Sequence, residues 1–154
     1  MRQILRRKAI PLESSRSRIE VRDVLRLVLA LIYLIAGVAH IVSPAGFLRI
    51  TPGWVPAPDL VVLFTGLCEI LGAVALAFVP VLRRAAGIGL ALYAICVLPA
   101  NINHALNDIA IGGVQLSWWY HGPRLLFQPV AVWWALWAGG VTDWPLGAKD
   151  DRKS

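Results

Sequence analysis

Residues 60–106 read LVVLFTGLCEILGAVALAFVPVL, then RR, then AAGIGLALYAICVLPANINHAL. Two apolar runs, 60–82 and 85–106, are parted only by Arg83 and Arg84. A hydrocarbon layer of ~30 Å is crossed by about 20 residues rising ~1.5 Å each, so either run is long enough to span it as a helix. Water is absent in that layer, and every backbone N–H and C=O must pair within its own segment, which predicts helices. A two-residue link then obliges the second helix to return antiparallel beside the first. The stretch is a transmembrane hairpin.

Two shorter apolar runs flank it, 27–42 and 125–141. Both lie near the lower limit for a span and are extended by flanking residues that snorkel. The fold class expected is all-α, a four-transmembrane-helix bundle. Composition agrees, with 58% hydrophobic residues and a mean hydropathy of +0.66 against roughly 45–50% apolar residues in a soluble domain. At 154 residues the chain has room for one such domain.

A net charge of +6 and a pI near 10.0 would suit nucleic acid only if the basic residues were spread over a soluble surface. Here they sit outside the apolar runs, so no nucleic acid is expected. Eight precede the first span, Arg83 and Arg84 sit in the hairpin link, and Lys149, Arg152 and Lys153 end the chain. Only Arg49 and Arg124 fall on the other side. Positive charge resists translocation, so both termini are expected in the cytoplasm, the protein lying in a bacterial inner membrane. The organisation is a basic cytoplasmic segment 1–23, a membrane domain 24–141 and a polar cytoplasmic tail 142–154. Trp54, Trp118, Trp119, Tyr120 and Trp144 fall where interfacial aromatic anchors belong. A signal peptide cleaved before His40 is the competing reading, opposed by a 26-residue polar lead that is long for one.

The connection 43–59 carries Pro44, Pro52, Pro56 and Pro58 among Phe47, Leu48, Ile50 and Trp54. Prolines forbid a long helix there, and the segment is expected to lie on the membrane or cap the bundle, or else to be a plain linker. The connection 107–124 holds Gly112-Gly113 and then Trp118-Trp119-Tyr120-His121-Gly122-Pro123-Arg124. It suits either ligand stacking or an interfacial belt. Cys68 and Cys96 fall mid-span with no metal-ligand spacing, so they are expected to be small buried residues rather than a redox pair.

An ionisable or amide group in hydrocarbon is expensive and needs a partner or a cavity. Glu69 sits mid-bilayer on the second span. Asn101 and His104, three apart, share a face of the third; His121, Arg124 and Gln128 share a face at the start of the fourth; His40 ends the first. These seven residues are expected to converge toward one side of the membrane as a ligand-binding cluster, with Glu69 or the ligand as the partner of Arg124. The alternative is that each merely ties one helix to its neighbour. Pro99 leaves the carbonyl of Ile95 without its usual donor. Haem is not expected, because His40 and His104 both lie close to the interface. No catalytic residue and no metal site are assigned.

The ordered set Ala36-Gly37-Val38-Ala39-His40, Trp54-Val55-Pro56, Gly66-Leu67-Cys68-Glu69-Ile70-Leu71-Gly72, Pro99-Ala100-Asn101-Ile102, and Arg124 followed by Gln128 resembles the DoxX-like family of small membrane proteins over about residues 27–141. The resemblance implies a four-helix membrane fold. Some members are associated with oxidoreductase systems, including a subunit of a thiosulfate and quinone oxidoreductase, and Glu69, Asn101, Arg124 and Gln128 match positions that recur in the pattern. It therefore implies a redox-associated subunit with a quinone as the cofactor to test and a membrane or soluble redox partner protein. Where related chains often read Arg-Leu-Pro-Leu-Gln, this one has Arg124-Leu125-Leu126-Phe127-Gln128, and no redox thiol pair is present. A non-catalytic subunit or small transporter is the other reading.

Overall fold

A computed structural model describes residues 12–144, with side chains described from residue 21 onward. The described residues are all-α, without a strand. They form α1 (Leu12–Val42), α2 (Pro44–Ile50), α3 (Pro58–Phe78), α4 (Arg83–Leu106) and α5 (Trp118–Ala138). Three stretches are long and apolar enough to cross a membrane: Val21–Val42, Pro58–Phe78 and Pro80–Leu106. α5 is as long as α3, but His121, Arg124, Gln128, two prolines and its tryptophans lower its hydropathy. Arg2, Arg6, Arg7, Lys8 and the tail from Lys149 lie outside the described residues.

Prolines set the boundaries. Pro44 and Pro58 open α2 and α3, where a missing N–H costs nothing. Pro80 follows the end of α3 and starts a 3-10 turn, Pro80–Leu82. The hairpin link is thus 79–82 rather than Arg83-Arg84, which open α4; a proline cannot continue the ladder, whereas two arginines can begin a helix. Pro99 stays inside α4. In the second connection, Trp118–Arg124 is helical rather than loop. Ser117, extended at ψ 170°, accepts from the N–H groups of Tyr120 and His121, and Pro123 is held within the second turn. α5 ends in a Schellman motif. Gly140 takes φ +75°, and the N–H groups of Gly140 and Val141 donate to Trp137 and Leu136.

The long helices form two close pairs. A Cβ on Gly37 would meet the carbonyl oxygen of Gly66 at 2.7 Å, and one on Gly66 would meet Cβ of His40 at 2.7 Å, so α1 and α3 touch backbone to backbone. A Cβ on Gly87 would meet the carbonyl of Ala135 at 2.7 Å, which brings α4 equally near α5. Small residues permit such approach, and van der Waals contact then holds the pair without help from a hydrophobic driving force.

The two pairs join at the end where α1 enters, here the arginine end. The packed core lies there, with Leu29, Tyr33, Leu76, Leu90, Ala135 and Ala138 buried together. Arg22 donates from Nε and Nη2 to the carbonyl of Trp137 at 2.9 and 2.7 Å, and from Nη1 to Asp143 at 2.9 Å. Arg26, buried, donates to the carbonyl of Ala138 at 2.9 Å and to Asp23. These are last-turn carbonyls of α5, where a helix lacks donors and carries partial negative charge. Two arginines expected only as a topology signal thus fasten α1 to α5. At the opposite, loop end the pairs separate.

Candidate functional site

Between the two pairs, in the half nearer the connections, is a cavity of about 440 Å³, within the ~300–1,000 Å³ span of ligand sites. Each long helix contributes a stripe at helical spacing. On α5 the lining residues Arg124, Phe127, Gln128, Ala131 and Trp134 recur every three or four positions. α2 and the segment after it cover the loop end, Phe47 stacking on His40 with ring centroids 3.6 Å apart. α2 is tied to α4 by Asn103, whose Nδ2 donates to the carbonyl of Ile50 at 2.9 Å, and to the connection after α4 by Arg49, which donates to the carbonyl of Ala110 at 3.0 Å. The first connection thus caps the bundle through a short helix.

Of the seven residues singled out in the sequence, His40, Glu69, Asn101, Arg124 and Gln128 line this cavity; His104 and His121 do not. Glu69 is 3% exposed. The Gly37–Gly66 contact brings His40 against it, with Nδ1 of His40 2.9 Å from Oε2 of Glu69 and 2.9 Å from the carbonyl of Ala36. The Nδ1–H points to Ala36, which leaves Oε2 of Glu69 buried with no hydrogen-bond partner among the described residues. Nδ1 of His40 thus sits between two oxygens, the Ala36 carbonyl and Oε2 of Glu69, 2.9 Å from each, and its single proton serves only one of them.

Gln128 donates from Nε2 to the carbonyl of Ala94 at 3.0 Å. That is one residue before the carbonyl that Pro99 deprives of its donor; Ile95 itself is 53% exposed, on the outer surface of the bundle. Arg124 donates from Nη1 to Nδ1 of His104 at 3.0 Å, and Nε2–H of His104 donates to the carbonyl of Ile109 at 3.0 Å. A ring that accepts at one nitrogen and donates at the other is neutral imidazole. His104 is thus a support that aims Arg124. His121, 2% exposed, packs edge-on against it at 4.6 Å, and Tyr120 lies under the guanidinium at 5.8 Å. Glu69 is not the partner of Arg124: among the described residues no carboxylate lies within ion-pair distance of it.

Three lining side chains escape the sequence reading. Tyr33 and Tyr93 meet edge to face at 6.0 Å across the pairs, and Nε1 of Trp134 is buried without a partner among the described residues. Helical spacing is the signal that could have found Trp134, which lies three residues beyond Ala131 and six beyond Gln128. Both cysteines are free, and Cys96 is exposed rather than buried, although it also lines the cavity.

Residues 29–139 match the family described as a domain of unknown function, DUF8561. The chain belongs to this family. No curated protein and no solved structure matches it. The matched region of this DUF8561 member runs from Leu29 in α1 to Gly139 after α5, and so takes in both glycine contacts and the whole wall of the cavity.

Proposed function

We propose that this DUF8561 member is a four-span membrane protein that binds a small, polar-headed, apolar-bodied molecule between its helix pairs, as a DoxX-like subunit of a redox system. A quinone is the first molecule to test. The single observation that carries the reading is the cavity: it is predominantly apolar, yet Glu69, Asn101, Arg124 and Gln128, the residues matching the DoxX-like pattern, all reach its wall. A membrane site of this kind offers an apolar slot, hydrogen-bond donors for a head group, and a buried acid beside a histidine to give or take a proton. Both termini are cytoplasmic and the loop end faces the outer side of a bacterial inner membrane in this reading, on the strength of the positive charges.

The helix-tie reading also has support, because Gln128 and Arg124 each bond α4 and such bonds are worth ~0.6 kcal/mol in membranes. Purification of the full chain in mild detergent, solvent extraction and mass spectrometry separate the two. Ligand binding predicts a stoichiometric quinone or other amphiphile that is lost when Ala131→Phe fills the cavity. An extract empty from both proteins overturns it. For topology, a reporter after Ser154 should read cytoplasm and one at Gly112-Gly113 the outer side; reversed signals refute the orientation.

A further inference from the structure

We infer that the loop-end wall of the cavity, Arg124 with Asn101, is a carboxylate site, and that its ligand is a single-chain amphiphile with an anionic carboxyl head. The inference rests on the cavity being a ligand site and replaces a neutral head group with a charged one.

The guanidinium of Arg124 enters about six residues into α5, roughly 9 Å along its axis, and lines the cavity. Of its five N–H donors, one is spent on His104, which is neutral and brings no charge. No carboxylate among the described residues neutralises it. Glu69 occupies the far wall with His40. A cation beside hydrocarbon without a counter-ion is costly, and an anion held in the cavity removes that cost. The side of the fork that does not face His104 remains available for the two-oxygen pairing that suits a carboxylate.

Asn101 supplies an independent pointer. It is 7% exposed and lines the same cavity, and its amide has no hydrogen-bond partner among the described residues while remaining open to the cavity. An amide so placed is normally satisfied by water or a ligand. On α4 it stands three residues before His104, one turn along the same face, so its Nδ2–H and the Arg124 fork serve one head group together. Beyond them the wall is Phe127, Val97, Ala131 and Leu29, suited to an alkyl chain. A volume of about 440 Å³ accommodates one chain of a lipid rather than two.

The full chain in mild detergent is titrated with hexadecanoate, hexadecanol, hexadecyl phosphate and a short-tailed ubiquinone analogue. Hexadecanoate should bind at least about tenfold tighter than hexadecanol. Arg124→Gln should erase that preference. Arg124→Lys, which keeps the charge and loses the fork, should weaken hexadecanoate about tenfold; Asn101→Leu should weaken hexadecanoate and leave hexadecanol unchanged, and serves if Arg124→Gln does not fold. Equal binding of acid and alcohol overturns the inference, and so does a preference for the phosphate. The quinone analogue binding alone overturns it while the cavity reading stands. No binding of any probe sinks both.

Discussion

Arginines sit at both ends of this bundle, and their surroundings differ. At the arginine end, Arg22 and Arg26 give their N–H groups to α5 carbonyls and to Asp143 and Asp23. Charge, hydrogen bonds and helix dipole are matched for these two arginines, although Nε of the neighbouring Arg83 is buried without a partner among the described residues. At the loop end, among the described residues, Arg124 has a neutral histidine and the ring of Tyr120 for partners but no carboxylate, the Asn101 amide makes no hydrogen bond, and Oε2 of Glu69 makes none. Matched polar groups hold a membrane protein together; unmatched ones beside a cavity are set aside for something the fold does not contain. Substitution at the first end should therefore cost stability, and at the second, binding.

The largest effect falls on the frame that both ends share. Gly37→Leu forces a side chain into the carbonyl of Gly66, where backbone rather than a flexible side chain is in the way. Overpacking of this kind costs ~1–3 kcal/mol or more, and detergent melting should show the loss together with loss of ligand. A Gly37→Leu protein that melts with the parent would mean that α1 and α3 do not meet as described. Next is Arg26→Ala, which strips the carbonyl of Ala138 of a charged donor. A loss of ~1.5–3 kcal/mol is expected, with amphiphile affinity unchanged. A binding loss at preserved stability would erase the contrast between the ends.

The loop-end counterpart of that test is Glu69. An acid whose Oε2 is buried without a hydrogen-bond partner among the described residues is costly to hold in the fold, so Glu69→Leu should melt at or above the parent while ligand affinity is lost. Glu69→Gln keeps shape and hydrogen bonding and should insert and fold normally. If Glu69→Leu is both more stable and fully functional in complementation, Glu69 is neither a tie nor a site group.

The residues reveal the frame and the polar cluster at different depths. The spans in α1, α3 and α4 were visible because each is an apolar run of bilayer length. Glu69, Asn101 and Gln128 stood out because polar groups are rare in such runs, and Arg124 because it shares a helix face with Gln128. The cavity itself was not visible, since it depends on two Gly contacts between segments far apart in sequence, and nothing local says that Gly37 faces Gly66 or that Gly87 faces Gly139. The support role of His104 was hidden for the same reason, because its two hydrogen bonds set its tautomer. α5 was misplaced at its start because Gly122-Pro123 looks like a break. Arg22 and Arg26 were hidden by a good explanation, charge-directed topology, that left no reason to seek a structural one.

The smallest expected effect concerns α2, which closes the loop end. This helix of seven residues is too short to be stable alone, and its position depends on Phe47 stacked on His40 and on two hydrogen bonds to the α4 side, Asn103 to Ile50 and Arg49 to Ala110. Asn103→Ala removes the first bond and also the acceptor that Asn107 uses at 2.7 Å. One neutral hydrogen bond nets ~0.5–1.5 kcal/mol, so global melting should fall by about 1 kcal/mol or less, well under the Arg26→Ala change. The local consequence should be larger in proportion: amide exchange in Pro44–Ile50 should quicken, and bound amphiphile should leave several-fold faster with little change in its rate of entry into the protected core of α1 and α3. If exchange quickens equally in α1, α3 and α2, the strap belongs to the same cooperative unit as the frame, and the distinction between a matched end that holds and an open end that binds would have to stop at Arg124 and Asn101 rather than extend to α2.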